Sequence, residues 1–290
     1  MSKVGYIGLG HMGYGMASNL LKELGELYVW NRSQGKIDRM VAEGATNAGS
    51  AEEMARTCDV IILSLPGPKE VRSVVAEQLI PNGKEGQWIL DTSTVDPQTN
   101  LAMDELAKAK GIKYIDCPVS GGRPKSEAGT LTFMIGATEE EAAPIKKYYD
   151  IMGSTQFYMG KVGSGSSIKV INNFMSFSTA VINAEAISMA DEMGVPLQTF
   201  YDVVMASSGG NNNLKGKFPK ILSRDLNANF TVNLVLKDLE LAADLCRNAG
   251  IPNFSCNNAI QWFRLAQRYK FDGKDASCLV TLFRELMHHE

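Results

Sequence analysis

Residues 4–13, VGYIGLGHMG, decide how the first half of the chain folds. A run of β-formers from Val4 passes into Gly8, Gly10 and Gly13, and an amphipathic stretch opens at Gly13. At this spacing the first glycine permits a tight strand-to-helix turn. The second lets backbone approach a pyrophosphate, and the third lets helix and strand pack closely. The helix N-terminus then presents free N–H groups and a positive dipole end to phosphate. The stretch predicts a dinucleotide site built from Gly8, Leu9, Gly10, His11, Met12 and Gly13. The competing reading is a glycine-rich turn with no ligand.

The residues that choose between cofactors belong at the end of the second strand, about 20 residues on. An acid there binds the adenosine ribose hydroxyl and repels a 2′-phosphate. This chain has Asn31, Arg32 and Ser33 instead. Asparagine removes the repulsion, arginine stacks on adenine and pairs with phosphate, and serine adds a donor. The loop predicts NADP over NAD. Leu65 and Pro66, after one later strand, and Thr94, after another, fall where open α/β sheets bind ligands, with Thr94 toward the nicotinamide end.

Short apolar runs alternate with amphipathic stretches through the first 160 or so residues. Strands are predicted at 4–7, 27–30, 60–65, 88–91, 113–117 and 131–135, and helices at 13–24, 34–43, 69–77 and 97–110. That order predicts a largely parallel sheet, because parallel strands need crossovers. From 166 onward, apolar residues recur at helical spacing with no strand signal, at 166–193, 196–205, 231–249 and 257–269, with Asn211–Asn213 as a polar loop. The expected fold class is α/β: a Rossmann dinucleotide-binding domain over 1–162, then an all-α domain over 163–290.

Composition supports a folded globular chain. Of 290 residues, 44% are hydrophobic and 21% charged, and the length favours two domains over one core. A net charge of −3 gives no basic field for nucleic acid. No apolar run reaches the roughly 18 residues of a membrane span. Five cysteines without CxxC spacing read as reduced residues of a cytoplasmic protein. No His, Cys or carboxylate grouping has metal-ligand spacing, and His288-His289 reads as a frayed tail.

Two later segments carry candidate chemistry. Asp116-Cys117-Pro118-Val119-Ser120-Gly121-Gly122 ends a strand with a hydroxyl and two glycines, either a plain turn or a small nest for a carboxylate. Residues 163–173, GSGSSIKVINN, read as a helix start in which Lys169, Asn172 and Asn173 lie on nearby faces. A lysine there, beside a nicotinamide, donates a proton to a carbonyl oxygen as hydride reaches the carbon. The plainer reading of Lys169 is a snorkelling surface lysine. Lys237-Asp238, inside the core-like run LVLKDLELA, reads from spacing alone as a structural ion pair.

Five motifs in order resemble the β-hydroxyacid dehydrogenase family: GLGHMGYGMASNLLK at 8–22, DTSTVDP at 91–97, DCPVSGGRPKSEAGTL at 116–131, GSGSSIKVINN at 163–173 and KDLELA at 237–242. The resemblance implies Lys169 as catalytic acid/base and Ser120, Gly121, Gly122 and Asn173 as substrate-binding. It also implies that Lys237 and Asp238 close the site near cofactor and substrate, that a long helix joins the domains, and that the protein is a homodimer or homotetramer. Substrates would be small carboxylate-bearing 3-hydroxyacids, semialdehydes or keto acids. The polar run 207–213, SSGGNNN, points to a polar tail on the substrate. The alternatives are an NAD-linked 3-hydroxyisobutyrate-type dehydrogenase, an imine reductase, which the lysine argues against, and a non-catalytic cofactor-binding scaffold.

Overall fold

The structure, a computed structural model, describes residues 2–228 and 230–288. Six strands form one sheet: β1 (Val4–Ile7), β2 (Tyr28–Trp30), β3 (Thr46–Asn47), β4 (Val60–Leu63), β5 (Trp88–Asp91) and β6 (Lys113–Asp116). Their spatial order is β3-β2-β1-β4-β5-β6, and every pairing is parallel. This is the doubly wound order of a dinucleotide-binding fold, with the chain reversing direction across the sheet at β1 and β4.

Helices cover both faces, so the central strands read as continuous apolar runs such as VIIL at β4. Side chains alternate between two cores. Tyr6, Val29, Ile62 and Leu90 pack on one face with Met16 and Leu20 of helix Gly13–Leu24. Ile7, Ile61, Leu63 and Ile89 pack on the other with Met54, Val75 and Met103.

A second sheet holds β7 (Val119–Ser120), β8 (Leu131–Ile135) and β9 (Gly153–Tyr158), with β7–β8 antiparallel and β8–β9 parallel. The run 131–135 is therefore a strand, but of this smaller sheet. The sequence reading misses β3, β7 and β9. Two of them are two residues long, and β9, GSTQFY, opens with glycine and polar residues that carry no strand pattern.

The chain divides into two compact units, one ending at Val170 and one beginning at Ile171. The division falls inside the long helix Ser164–Glu192. The first turn of that helix belongs to the first unit because Asp116, at the end of β6, holds it. Gly163 and Ser166 both donate their backbone N–H to the Asp116 carboxyl.

The second unit is helical apart from an isolated bridge between Thr231 and Asp275. Helices Val232–Asn248 and Phe254–Arg268 pack on each other. Each buries residues at helical spacing, Val235, Leu239 and Ala242 on the first and Ala259, Ile260 and Phe263 on the second. Two helices of this unit go unread in the sequence. Asn212–Ser223 contains Gly216 and Pro219, both breakers by propensity, yet it buries Leu214, Phe218 and Ile221 and is capped by Asn211. The supposed loop at 211–213 is thus a helix start. Cys278–His288 is the other; His289 lies outside the described residues.

Phe133 on β8 is fully buried, with its ring centroid 5.2 Å from that of Tyr149. Phe133→Ala should destabilise the first unit by about 3–5 kcal/mol in denaturant unfolding. A loss below about 1 kcal/mol would mean the second sheet is not packed as described.

Candidate active site

The glycine turn after β1 is built on close approaches. Gly8 has φ +96°, and a Cβ there would fall 2.2 Å from the Ser64 carbonyl oxygen. A Cβ on Gly13 would fall 1.9 Å from the carbonyl oxygen of Gly8. Both glycines are therefore demanded by protein packing. Gly10 differs, because nothing of the protein lies within 4 Å of a Cβ built there. Its open face fits a phosphate reaching the backbone, and no acidic residue in the first turn of helix Gly13–Leu24 opposes an anion. The residues present thus fit a dinucleotide. In the same turn Leu9 is buried, Met12 half-buried and His11 exposed.

Asn31 is not a free ligand group. Its Oδ1 accepts the Leu9 N–H at 3.0 Å and its Nδ2 donates to the Ser33 carbonyl at 3.1 Å, tying the end of β2 to the glycine turn. Arg32 and Ser33 are exposed, and no ion pair among the described residues engages Arg32. After β4, the Leu65 N–H donates to Ser93 Oγ at 2.8 Å, which ties the loop that continues into the exposed Pro66 to the loop after β5. Thr94 is half-buried there. Ser120 ends β7, and Gly121 and Gly122 follow with φ +142° and +69°, both exposed. Lys169 stands in the long helix at 9% exposure, buried rather than solvated, while Ile168 and Ile171 beside it are exposed.

In the second unit three of the expected residues assemble. Asn173 Nδ2 donates to Asp238 Oδ2 at 2.6 Å, and Lys237 Nζ lies 2.8 Å from Asp238 Oδ1. Asp238 and Asn173 are buried, whereas Asn172 is exposed. The polar run at 207–213 behaves differently from its expectation. Asn211 and Asn183 exchange amide hydrogen bonds, and Asn213 donates to the Ser176 carbonyl and hydroxyl. These amides fasten one helix start to the long helix, so they are already engaged without a substrate tail.

Comparison with known proteins matches two family models, one to each half of the chain. Residues 3–160 match the model described as the NAD binding domain of 6-phosphogluconate dehydrogenase. Residues 163–283 match that described as NAD-binding of NADP-dependent 3-hydroxyisobutyrate dehydrogenase. The chain is 32% identical over 290 residues to 2-(hydroxymethyl)glutarate dehydrogenase of Eubacterium barkeri, covering 98% of this chain and 95% of that one. The chain belongs to the β-hydroxyacid dehydrogenase family.

Members of this family are NAD(P)-dependent enzymes of 3-hydroxyacids and semialdehydes. NAD-dependent L-serine dehydrogenase of Pseudomonas aeruginosa is also 32% identical, over 98% of both chains. Among solved structures, Mycobacterium tuberculosis 3-hydroxyisobutyrate dehydrogenase with L-serine superposes with TM-score 0.90 at 25% identity, covering 98% of this chain and 99% of that one.

Four polar residues that the sequence reading of this β-hydroxyacid dehydrogenase did not single out lie fully or nearly fully buried between β5, β6 and the long helix. They are Asp91, Asn100, Tyr114 and Ser166. With Asp116 they form one connected hydrogen-bonded group. A carboxylate at the end of an apolar strand, as in WILD and KYID, is the signal that would have marked two of the five. Among the described residues no cluster suits a metal, and no helix is long and apolar enough to cross a membrane.

Burial pushes the Asp91 carboxyl up to about 6, against the hydrogen bonds from Ser93 and Tyr114. A carboxyl whose folded value is raised binds its proton more tightly when folded. Its contribution to stability is complete below the unfolded value near 4 and is lost as pH rises through about 6. Asp91→Asn should flatten that part of the stability-versus-pH curve, measured by urea unfolding at stepped pH. An unaltered slope would remove Asp91 as its source.

The glycines make a second, independent test. Gly13→Ala should lower the thermal midpoint sharply. Gly10→Ala should leave the midpoint near wild type and weaken cofactor binding by about 10-fold or more, read by nicotinamide fluorescence titration. Equal effects of both substitutions would contradict the distinct roles of the two positions.

Proposed function

We propose that this enzyme moves hydride reversibly between NADPH and a small carboxylate-bearing aldehyde or keto acid, with Lys169 as general acid/base. The observation that carries the reading is the burial of Lys169 in the long helix, 9% exposed where an ordinary helix lysine is solvated. The cofactor supplies the hydride. Lys169 Nζ gives a proton to the substrate oxygen during reduction and takes it back during oxidation. Ser120 and the backbone of Gly121 and Gly122 receive the carboxylate. Asn173, oriented by Asp238, holds the reacting oxygen or the lysine, and Lys237 neutralises Asp238 beside the cofactor. Gly8 to Gly13 receive the pyrophosphate, while Leu65, Pro66 and Thr94 line the way to the nicotinamide.

The NADP preference rests on Arg32 and Ser33. Asn31 is committed to the glycine turn, so the 2′-phosphate falls to the exposed guanidinium and hydroxyl next to it. An NAD-linked enzyme is the second reading, favoured by the relative whose name specifies NAD. L-serine, 3-hydroxyisobutyrate and 2-(hydroxymethyl)glutarate, from the names of three relatives, share one pattern, a primary hydroxyl on the carbon next to the carboxylate-bearing carbon. That supports a 3-hydroxyacid as the reduced substrate. The working unit we propose is a homodimer or homotetramer in the cytoplasm.

Lys169→Ala should cut turnover at least about 100-fold with cofactor affinity nearly intact. The assay is steady-state kinetics with both cofactors on L-serine, 3-hydroxyisobutyrate, 2-(hydroxymethyl)glutarate, glyoxylate and succinic semialdehyde. Retained turnover removes Lys169 from the mechanism. Arg32→Ala should lower kcat/KM for NADPH by about 10-fold and barely affect NADH. The reverse pattern would assign the loop to NAD.

A further inference from the structure

Asp116 ends β6 with both carboxyl oxygens occupied. Oδ1 accepts the Gly163 N–H at 2.8 Å and Oδ2 the Ser166 N–H at 2.7 Å. The Ser166 hydroxyl oxygen accepts from Asn100 Nδ2. That orients the Asn100 amide with Oδ1 toward the Tyr114 hydroxyl, 2.7 Å away. The Tyr114 hydroxyl lies 2.7 Å from Asn100 Oδ1 and 2.8 Å from Asp91 Oδ2, so its single proton sits between two acceptors. One connected network therefore links Asp91, Tyr114, Asn100, Ser166 and Asp116.

Burial raises the Asp91 carboxyl to about 6 and holds the Tyr114 phenol well above its usual value. Burial raises Asp116 too, but the hydrogen bonds from Gly163 and Ser166 oppose it, and its charge faces the N–H groups that open a helix. The enclosure is tight. A Cβ on Gly136 would fall 1.9 Å from Asp116 Oδ1, and one on Gly165 would fall 2.2 Å from the Met134 carbonyl oxygen.

We propose that Asp116 is the positioning residue of the long helix: its carboxylate, backed by this buried network, clamps the turn 163–166 and so sets where Lys169 stands. The consequence for catalysis rests on the reading of Lys169 as the proton donor. The clamp itself does not.

The test combines amide hydrogen exchange with steady-state kinetics on the whole enzyme. In Asp116→Asn, the Gly163 and Ser166 amides should exchange at least about 10-fold faster. Turnover should fall about 10- to 100-fold with the cofactor dissociation constant unchanged. Ser166→Ala, which keeps the backbone donor and removes the hydroxyl link, should move both readouts the same way by less, and it carries the test if Asp116→Asn does not fold. Asp91→Asn keeps a polar group opposite Tyr114 at the far end of the network. At pH 5 it should keep the protection of both amides and the thermal midpoint, and lose a carboxylic C=O infrared band that the wild-type protein shows. Unchanged exchange in Asp116→Asn, or an equal loss of protection in Asp91→Asn, overturns the clamp. Faster exchange with normal turnover in Asp116→Asn leaves the clamp standing and overturns its role in positioning Lys169.

Discussion

The first unit depends on a backbone contact no side chain could survive. The carbonyl oxygen of Gly8 occupies the space where a Cβ of residue 13 would sit, and the Ser64 carbonyl does the same to residue 8. Only with hydrogen at both positions do β1, β4 and helix Gly13–Leu24 meet this closely. Once they do, the helix N-terminus points along the carboxyl ends of the strands, and the loops after β2, β4 and β5 gather around it. Asn31 then ties the loop after β2 to the glycine turn, and Ser93 ties the loops after β4 and β5 together, each by accepting a backbone N–H.

The start of the long helix is held by a different kind of constraint. A buried carboxyl is costly unless it is hydrogen-bonded or neutral, and the first unit buries two of them within one connected network. Asp116 meets the cost with backbone N–H groups of the helix start, and Asp91 meets it by binding a proton readily. Apolar side chains of similar size would fill the same volume, but they would not specify which N–H groups lie against β6. That specificity bears on function, since Lys169, the proposed proton donor, stands one turn beyond the held segment.

In the second unit, polar side chains fix helix starts in the same way. Asn211 and Asn213 fasten Asn212–Ser223 to the long helix, and Asp238 holds Asn173. Sequence polarity alone assigned the first pair to substrate and the ion pair Lys237–Asp238 to structure. A polar side chain is equally at home on a ligand, on a neighbouring helix or in water, and the chain order does not say which of these lies opposite it.

The sequence by itself determined the parallel sheet, the strands and helices that carry the glycine turn, the all-helical second half and the family. Each of these is written in local spacing: a period of two or near 3.6, glycines at fixed offsets, and motifs within one turn of chain. Only the tertiary structure decided which side chains are spoken for. That Asn31 serves the glycine turn, that Leu131–Ile135 joins a second sheet, that a helix runs through Gly216 and Pro219, and that Asp116 holds residues some 50 positions later all depend on contacts distant in sequence. Long-range packing overrides propensity because burying Leu214, Phe218 and Ile221 together outweighs the roughly 1–3 kcal/mol by which a glycine or proline disfavours a helix.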